Sequence, residues 1–297
     1  MKQMSVISGK GGTGKTSVLA SFAALAERPV VADCDVDAAD LHLVLSPTVE
    51  HRETFFGGRK ATVRQGACSG CGMCKRLCRY EAVGLRPFSA SDVRAIAEID
   101  DVACEGCGVC AWFCPVKAID FDLNPTGSWY VSTTRYGPMV HARLNAAEEN
   151  SGKLVSQVRE VARKRAEMDG RELVLVDGPP GIGCPVIASV TGCDLVLIVT
   201  EPTVSGIHDM ARVAQLAAGF GIQALVCVNK WDINPDMTAR IEEQAGSLGI
   251  GLAGRVPYDR AITDAQIAGK PVVEFTDGPV RDTIVSTWEK VCRTLGL

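Results

Sequence analysis

A mostly parallel α/β domain, interrupted by a small cysteine-rich α+β insert, is the fold class the sequence predicts. Three observations carry it. Hydrophobic strand-like runs alternate with helix-patterned stretches at both ends of the chain, a Gly-rich loop separates the first strand from the first helix, and eight of the thirteen cysteines fall between Cys68 and Cys114. The 297 residues are 46% hydrophobic and 22% charged, enough apolar chain for a proper core, which excludes disorder, collagen and coiled coil.

The elements follow in order. KQMSVIS reads as a short strand, GKGGTGKTS as a loop, SVLASFAALAE as a helix and PVVADCD as a second buried strand. From about Phe56 the pattern breaks into Gly and Cys, and it recovers after Leu123-Asn124-Pro125. GSWYVSTTRY and MVHARL, separated by Gly137-Pro138, read as a strand pair, and a charged amphipathic helix follows near Lys153 to Met168. ELVLVD, DLVLIVT and IQALVCVN supply three more hydrophobic strands, each with a helical stretch after it. GIGLAGRVP adds a sixth sheet strand, and a helix near Val280 to Leu295 ends the chain. The predicted boundaries are 1–56 and 125–297 for two parts of one α/β domain, with the insert at 57–124 between them.

A formal charge of −4 gives no basic field of the kind that holds proteins on nucleic acid, so no nucleic-acid partner is expected. No apolar run reaches the roughly 18 residues of a membrane span, and the N-terminus lacks the greasy core of a signal peptide. The expectation is a cytoplasmic protein without stable membrane insertion. In a reducing cytosol, clustered thiols point to metal rather than disulfide.

Gly9 to Thr16 fits G-x-x-x-x-G-K-[ST] between a predicted strand and helix. Its glycines let backbone N–H groups wrap a phosphate at the positive end of the following helix. The expected nucleotide-binding set is Gly11, Gly12, Thr13, Gly14, Lys15, Thr16 and Ser17. Within it Lys15 reaches the β and γ phosphates and Thr16 ligates Mg²⁺.

Cys68, Cys71, Cys74 and Cys78 form C-x₂-C-x₂-C-x₃-C, and Cys104, Cys107, Cys110 and Cys114 repeat it, followed by Pro115. This is the two-cluster bacterial ferredoxin spacing, in which the fourth cysteine of each run serves the other cluster. One [4Fe-4S] cluster takes Cys68, Cys71, Cys74 and Cys114; the second takes Cys104, Cys107, Cys110 and Cys78. A pair of Cys₄ zinc sites is the alternative, although zinc sites normally separate their C-x-x-C pairs by a longer spacer. Arg79 stands where proline usually follows the first run.

With Lys10 included, KGGTGKT resembles the deviant phosphate loop of the MinD, ParA, Mrp and nitrogenase iron-protein class of P-loop ATPases. The resemblance implies that Lys10 reaches across an ATP-sandwiched homodimer. It also implies that Asp35 orients the attacking water, that Asp33 belongs to the outer shell of Mg²⁺, and that Asp177 in LVLVDGPPG is the strand-end acid before a switch segment. Asn229, in Asn229-Lys230-Trp231-Asp232, lies where these families contact adenine, and Pro257-Tyr258-Asp259 resembles their second base loop. The first of these segments also resembles the guanine-reading N-K-x-D, so GTP competes with the favoured ATP; Asp232 equally suits a cap for a helix near Pro235.

Taken with the cysteine runs, the whole chain resembles MinD-superfamily ATPases carrying an inserted ferredoxin domain; GPMVHA, ENSGKLV and GIGCPVIAS are also similar. Cys184 sits seven residues after Asp177, at an offset similar to that of a cluster cysteine in the nitrogenase iron protein. The bland alternative is a small buried residue at a helix start. The expected function is an ATP-hydrolysing iron-sulfur protein whose nucleotide-driven dimer switch controls electron transfer from two [4Fe-4S] clusters to a redox partner. Assembly or delivery of clusters to an apo-metalloprotein is the alternative, and spatial organisation on DNA or membrane carries less weight.

Overall fold

β-Strands form at each hydrophobic run and extend well past two of them. In chain order they are β1 (Lys2–Ser8), β2 (Val30–Asp33), β3 (Thr48–Val63), β4 (Val83–Pro87), β5 (Ala95–Ile99), β6 (Ile119–Thr134), β7 (Gly137–Leu144), β8 (Leu173–Pro180), β9 (Leu195–Thr200), β10 (Gln223–Asn229) and β11 (Gly251–Val256). The computed structural model describes residues 1–88, 95–146, 148 and 152–297, so the first three residues of ENSGKLV lie outside the described residues. The chain divides into two compact units. One is Met1–Glu53 with Trp129–Leu144 and Glu149–Leu297; the other is Thr54–Ser128 with Asn145–Glu148, slightly wider than the expected 57–124.

In the first unit the sheet order is β11-β10-β9-β1-β8-β2-β7, continued by β6 and β3. Every pair from β11 to β7 is parallel. Their near-continuous apolar sequences follow from burial on both faces, because alternate residues serve opposite cores. Leu195, Leu197 and Val199 of β9 join one core with Met4 and Val6, whereas Val196 and Ile198 join the other with Ile7. The terminal helix, Pro279–Leu295, buries Val280, Ile284, Trp288, Val291 and Leu295 in the first of these cores, with Trp288 4.9 Å from the Phe22 ring. Among the described residues no helix is long and apolar enough to cross a membrane.

The expected hairpin forms, but its turn is Arg135-Tyr136 rather than Gly137-Pro138. Gly137 already lies in β7, where a β-carbon would sit 2.3 Å from the Pro29 carbonyl oxygen. Close backbone approach, not turning, requires glycine there.

The second unit corrects the expected loss of strand pattern near Phe56 and Leu123-Asn124-Pro125, because β3 and β6 run straight through both places. Gly57 permits this: a β-carbon would meet the Thr126 hydroxyl at 2.4 Å. β4 and β5 form an antiparallel pair with Val83 opposite Ile99 and Leu85 opposite Ala97. The small core consists of Ala61, Cys74, Val83, Ala97 and Ile119, with five further cysteines packed against it.

His141 on β7 lies beside Asp33 in the β2–β7 register, with Nε2 2.9 Å from the Ser132 hydroxyl and its ring stacked on Tyr130. Burial, then the neighbouring His42, pushes its pKa down from 6.5 to about 4. An unfolded chain therefore takes up a proton below 6.5 that the folded chain refuses until about 4. The His141 contribution to stability is whole above 6.5 and is lost as pH falls toward 4. Urea unfolding of the wild type and His141→Gln should converge as the pH is lowered through that window; a constant gap between them would contradict this account.

Candidate functional site

Three carboxylates, Asp33, Asp35 and Asp177, and one lysine meet at the carboxyl edge of the parallel sheet. Asp33 ends β2 and pairs with Asp177 of β8, which in turn pairs with Val6 of β1. The Gly-rich loop leaves β1 immediately afterwards and feeds the helix Lys15–Leu25. Gly12 and Gly14 have φ of +78° and +86°, values that side chains strongly disfavour. Ligand sites in open α/β sheets form outside this edge, and the helix N-terminus adds a partial positive charge.

Lys15 is buried and forms an ion pair with Asp35 Oδ2, while Asp177 Oδ1 lies 3.8 Å from its Nζ. The Thr16 hydroxyl donates to Asp177 Oδ2 at 2.8 Å, and the Asp35 N–H donates to Asp33 Oδ1 at 3.2 Å. Burial works to lower the Lys15 pKa, but Asp177 and Asp35 outweigh it and hold the pKa above the ordinary value. Burial, reinforced by the charge of Asp177, pushes the Asp33 carboxyl far up; burial also raises Asp177, against the pull of Lys15 and the Thr16 hydroxyl. Three buried oxygens, Asp33 Oδ2, Asp35 Oδ1 and Asp177 Oδ1, have no hydrogen-bond donor. Orphaned carboxylate oxygens beside a threonine hydroxyl suit a hard divalent cation such as Mg²⁺. Among the described residues no three His, Cys, Asp or Glu side chains form a ready single-ion site. Mg²⁺ is commonly held by one or two carboxylates, with phosphate oxygens and waters completing its shell.

A cleft of about 390 Å³ opens here, within the range of small-molecule sites. Gly11, Gly12, Gly14, Lys15, Thr16 and Ser17 line one side, and Asp35 and Asp40 another. Thr13 is buried; its carbonyl accepts from Asn229 Nδ2 at 2.8 Å. Asn229 thus braces the phosphate loop as well as lining the cleft, and a β-carbon at Gly14 would sit 2.4 Å from its amide nitrogen. Tyr258 and Asp259 also line the cleft, but Pro257 is absent from its wall, and Asp259 caps the helix Arg260–Ile267 through the Ala261 N–H. Asp232 does not cap the helix Pro235–Ser247. Asn234 does, accepting from Met237 N–H, whereas Asp232 accepts the Tyr258 N–H at 2.7 Å and so ties the loop after β10 to the loop after β11.

Several contributors carry no sequence signal. Gln266 lines the cleft and donates to the Ser17 hydroxyl at 2.9 Å. Glu201, just past β9, receives Lys10 at 3.2 Å and Lys230 at 2.5 Å, so Lys10 lies against a carboxylate of its own chain. Such long-range pairings leave no spacing rule in the sequence. Ser8 links two further parts: its hydroxyl donates to the Lys10 carbonyl at 2.7 Å, and its carbonyl accepts the Gly181 N–H at 2.9 Å.

In the second unit the eight clustered cysteines surround two cavities. Cys68, Cys71, Cys74 and Cys114 line one; Cys78, Cys104, Cys107 and Cys110 line the other. Gly70 and Gly106 occupy matching places in the two runs with positive φ, and a β-carbon on either would sit 2.1 Å from a carbonyl oxygen, of Ala95 and Arg59 respectively. Cys71 and Cys107 are exposed. The Ala118 N–H points at Cys114 Sγ at 3.2 Å. A hydrogen bond from the Met73 backbone, opposed by slight desolvation, lowers the Cys71 pKa; burial raises Cys74 and Cys110.

Cys184 opens the helix Cys184–Val190 but is exposed, not buried, and lines a separate groove of about 920 Å³ with Gly152, Arg159 and Ile187. Cys34, Cys193 and Cys227 are buried packing residues.

The sequence pattern of the CobQ/CobB/MinD/ParA nucleotide binding domain matches residues 4–272. Uncharacterized protein MJ0578 of Methanocaldococcus jannaschii is 32% identical over 236 residues, covering 78% of this chain and 79% of that one. In fold, the chain resembles the cell division ATPase MinD of Pyrococcus furiosus with TM-score 0.59 and 17% identity, covering 98% of both chains. The septum site-determining protein MinD of Pyrococcus horikoshii, solved with Mg-ADP, gives TM-score 0.59 at 16% identity, covering 98% of this chain and 95% of that one.

Removing Lys15 leaves buried carboxylates without their cation. Lys15→Met should therefore destabilise the protein by about 3–5 kcal/mol in urea unfolding and abolish nucleotide binding. Adding Asp35→Asn should restore part of the stability and none of the binding. An unchanged unfolding midpoint in the single variant would refute the charge argument.

Proposed function

The chain belongs to the CobQ/CobB/MinD/ParA nucleotide-binding domain family, and on that premise we propose an ATPase that couples ATP hydrolysis in a homodimer to two [4Fe-4S] clusters held in an inserted ferredoxin domain at about 57–124. The observation that carries the cluster reading is the partition of the eight cysteines. Each cavity draws three thiols from one run and the fourth from the other, as two-cluster ferredoxin ligation requires. The compact four-cysteine runs favour a polynuclear group over zinc, whose C-x-x-C pairs are normally separated by a longer spacer. When bound, such clusters supply one-electron transfer at potentials that hydrogen bonds to sulfur and solvent exposure set. The Ala118 N–H, the Met73 backbone and the exposed positions of Cys71 and Cys107 are this chain's means of setting them.

At the other site, polyphosphate draws Lys15 away from Asp35, and the released carboxylate is free to accept a hydrogen bond from the attacking water. Asp35 thereby orients the water oxygen toward the γ-phosphorus. A new P–O bond forms from the water oxygen, the bond to the bridging oxygen breaks, the water's proton passes to a phosphate oxygen, and ADP and phosphate leave. Thr16 and the unpaired oxygens of Asp33 and Asp177 are the groups that would hold Mg²⁺, which neutralises phosphate charge when bound. Adenine is favoured over guanine because the phosphate loop and Asn229 resemble those of the MinD-type ATPases; one oxygen of Asp232 already accepts the Tyr258 N–H. Asn229 and Asp259 flank the base, with Pro257 shaping its loop. Ser8 ties Lys10 to Gly181, so loss of the γ-phosphate can be felt on both sides of the phosphate loop.

A second reading, delivery of clusters to an apo-metalloprotein, is favoured by the exposure of Cys71 and Cys107, which leaves a face of each cavity open to an acceptor thiol. Protein purified without oxygen should contain about eight iron and eight acid-labile sulfide per chain. Cys114→Ser and Cys71→Ser should deplete the same cluster spectrum, and Cys78→Ser the other. With ATP and an acceptor present, reoxidation with iron retained supports electron transfer, whereas iron moving to the acceptor supports delivery. Protein without sulfide, or with clusters indifferent to nucleotide, removes the proposal.

A further inference from the structure

Glu201 belongs to neither the phosphate loop nor the wall of the cleft, yet it touches lysines from both. Its backbone is tightly set: the carbonyl accepts the Thr203 N–H at 2.8 Å, and a β-carbon at Gly206 would sit 2.2 Å from that oxygen, so the residue cannot easily shift along the chain. Its side chain is 14% exposed, against 37% for Lys10 and 31% for Lys230. One oxygen faces Lys10 at 3.2 Å and the other Lys230 at 2.5 Å. The two lysines hold the Glu201 carboxyl below its usual pKa against the opposing effect of burial. Lys230 is held there by its own left-handed backbone, φ +56°, and by its N–H bonded to Asn229 Oδ1. The Lys10 backbone carbonyl accepts from the Ser8 hydroxyl. Lys15 is meanwhile matched by Asp35 and Asp177. Before any ligand arrives, then, each of the three lysines around the phosphate loop already has an anion.

We infer that Glu201 is a resident competitor of the nucleotide: it holds Lys10 beside β9 in the empty protein, and a bound polyphosphate must take Lys10 from it. Two cations share one carboxylate, so Lys230 keeps Glu201 neutralised after Lys10 leaves, and the exchange strands no buried charge. Lys10 is the one to go, because its contact is the longer and its side chain the more exposed. The competition grows with ligand charge, which makes Glu201 weigh triphosphate against the emptied site. This inference rests on nucleotide binding at the phosphate loop, whether Lys10 meets the phosphates of its own chain or those of its partner in the dimer, and needs neither clusters nor hydrolysis.

The test is a double-mutant cycle on full-length protein, titrated with Mg-ATP at low salt. Glu201→Gln keeps the shape and removes the charge, and should tighten ATP binding ~fivefold, the scale of a partly screened ion pair. In a Lys10→Ala background the same change should gain little. Lys10 acetylation by acetic anhydride, read by mass spectrometry on nucleotide-free protein, should also rise in Glu201→Gln; this readout holds even if the variant alters affinity through packing. Unchanged or weaker ATP binding by Glu201→Gln, tightening that survives Lys10→Ala, or Lys10 labelling indifferent to Glu201 would each overturn the assignment. Absence of clusters would leave it untouched.

Discussion

Three carboxylates converge at the carboxyl edge of the sheet with one buried ammonium to answer them. Asp33 and Asp177 are placed by strand register, Asp35 by the turn after β2, and Lys15 by the first turn of the helix that leaves the Gly-rich loop. Without Lys15 the group would face the cost of several anions in a low-dielectric site. With it, the arrangement is stable but incompletely paired, as the three oxygens without donors record. A protein that leaves such atoms unpaired in its interior is shaped around something that completes them.

The rest of the first unit serves that edge. Parallel pairing brings the ends of β1, β2 and β8 side by side, and parallel strands need both faces covered, which the two cores on either side provide. The terminal helix is part of this cover. Its apolar stripe is spent on Phe22 and its neighbours, so the amphipathic pattern belongs to packing.

What the sequence revealed and what it concealed divide along a physical line. Chemistry fixed by local spacing was legible: the Gly-rich loop between strand and helix, the acids carried by β2 and β8, and the repeated cysteine run. Strand ends were not, because β3 and β6 continue through glycine- and proline-containing stretches that local propensity marks as breaks; the Gly57–Thr126 approach makes glycine a packing requirement there. Gly137 misled in the same way. Asp232 and Asn234 compete for one helix cap at nearly the same position, and the location of Tyr258, 26 residues beyond Asp232, decides between them. Glu201 had no local signal at all, since its partners come from the phosphate loop and from the segment after β10.

The two cysteine runs of the second unit are interleaved. Each keeps three of its four thiols for one cavity and lends the fourth to the other, Cys114 to the first and Cys78 to the second. Shortening either run therefore takes lining side chains from both cavities at once.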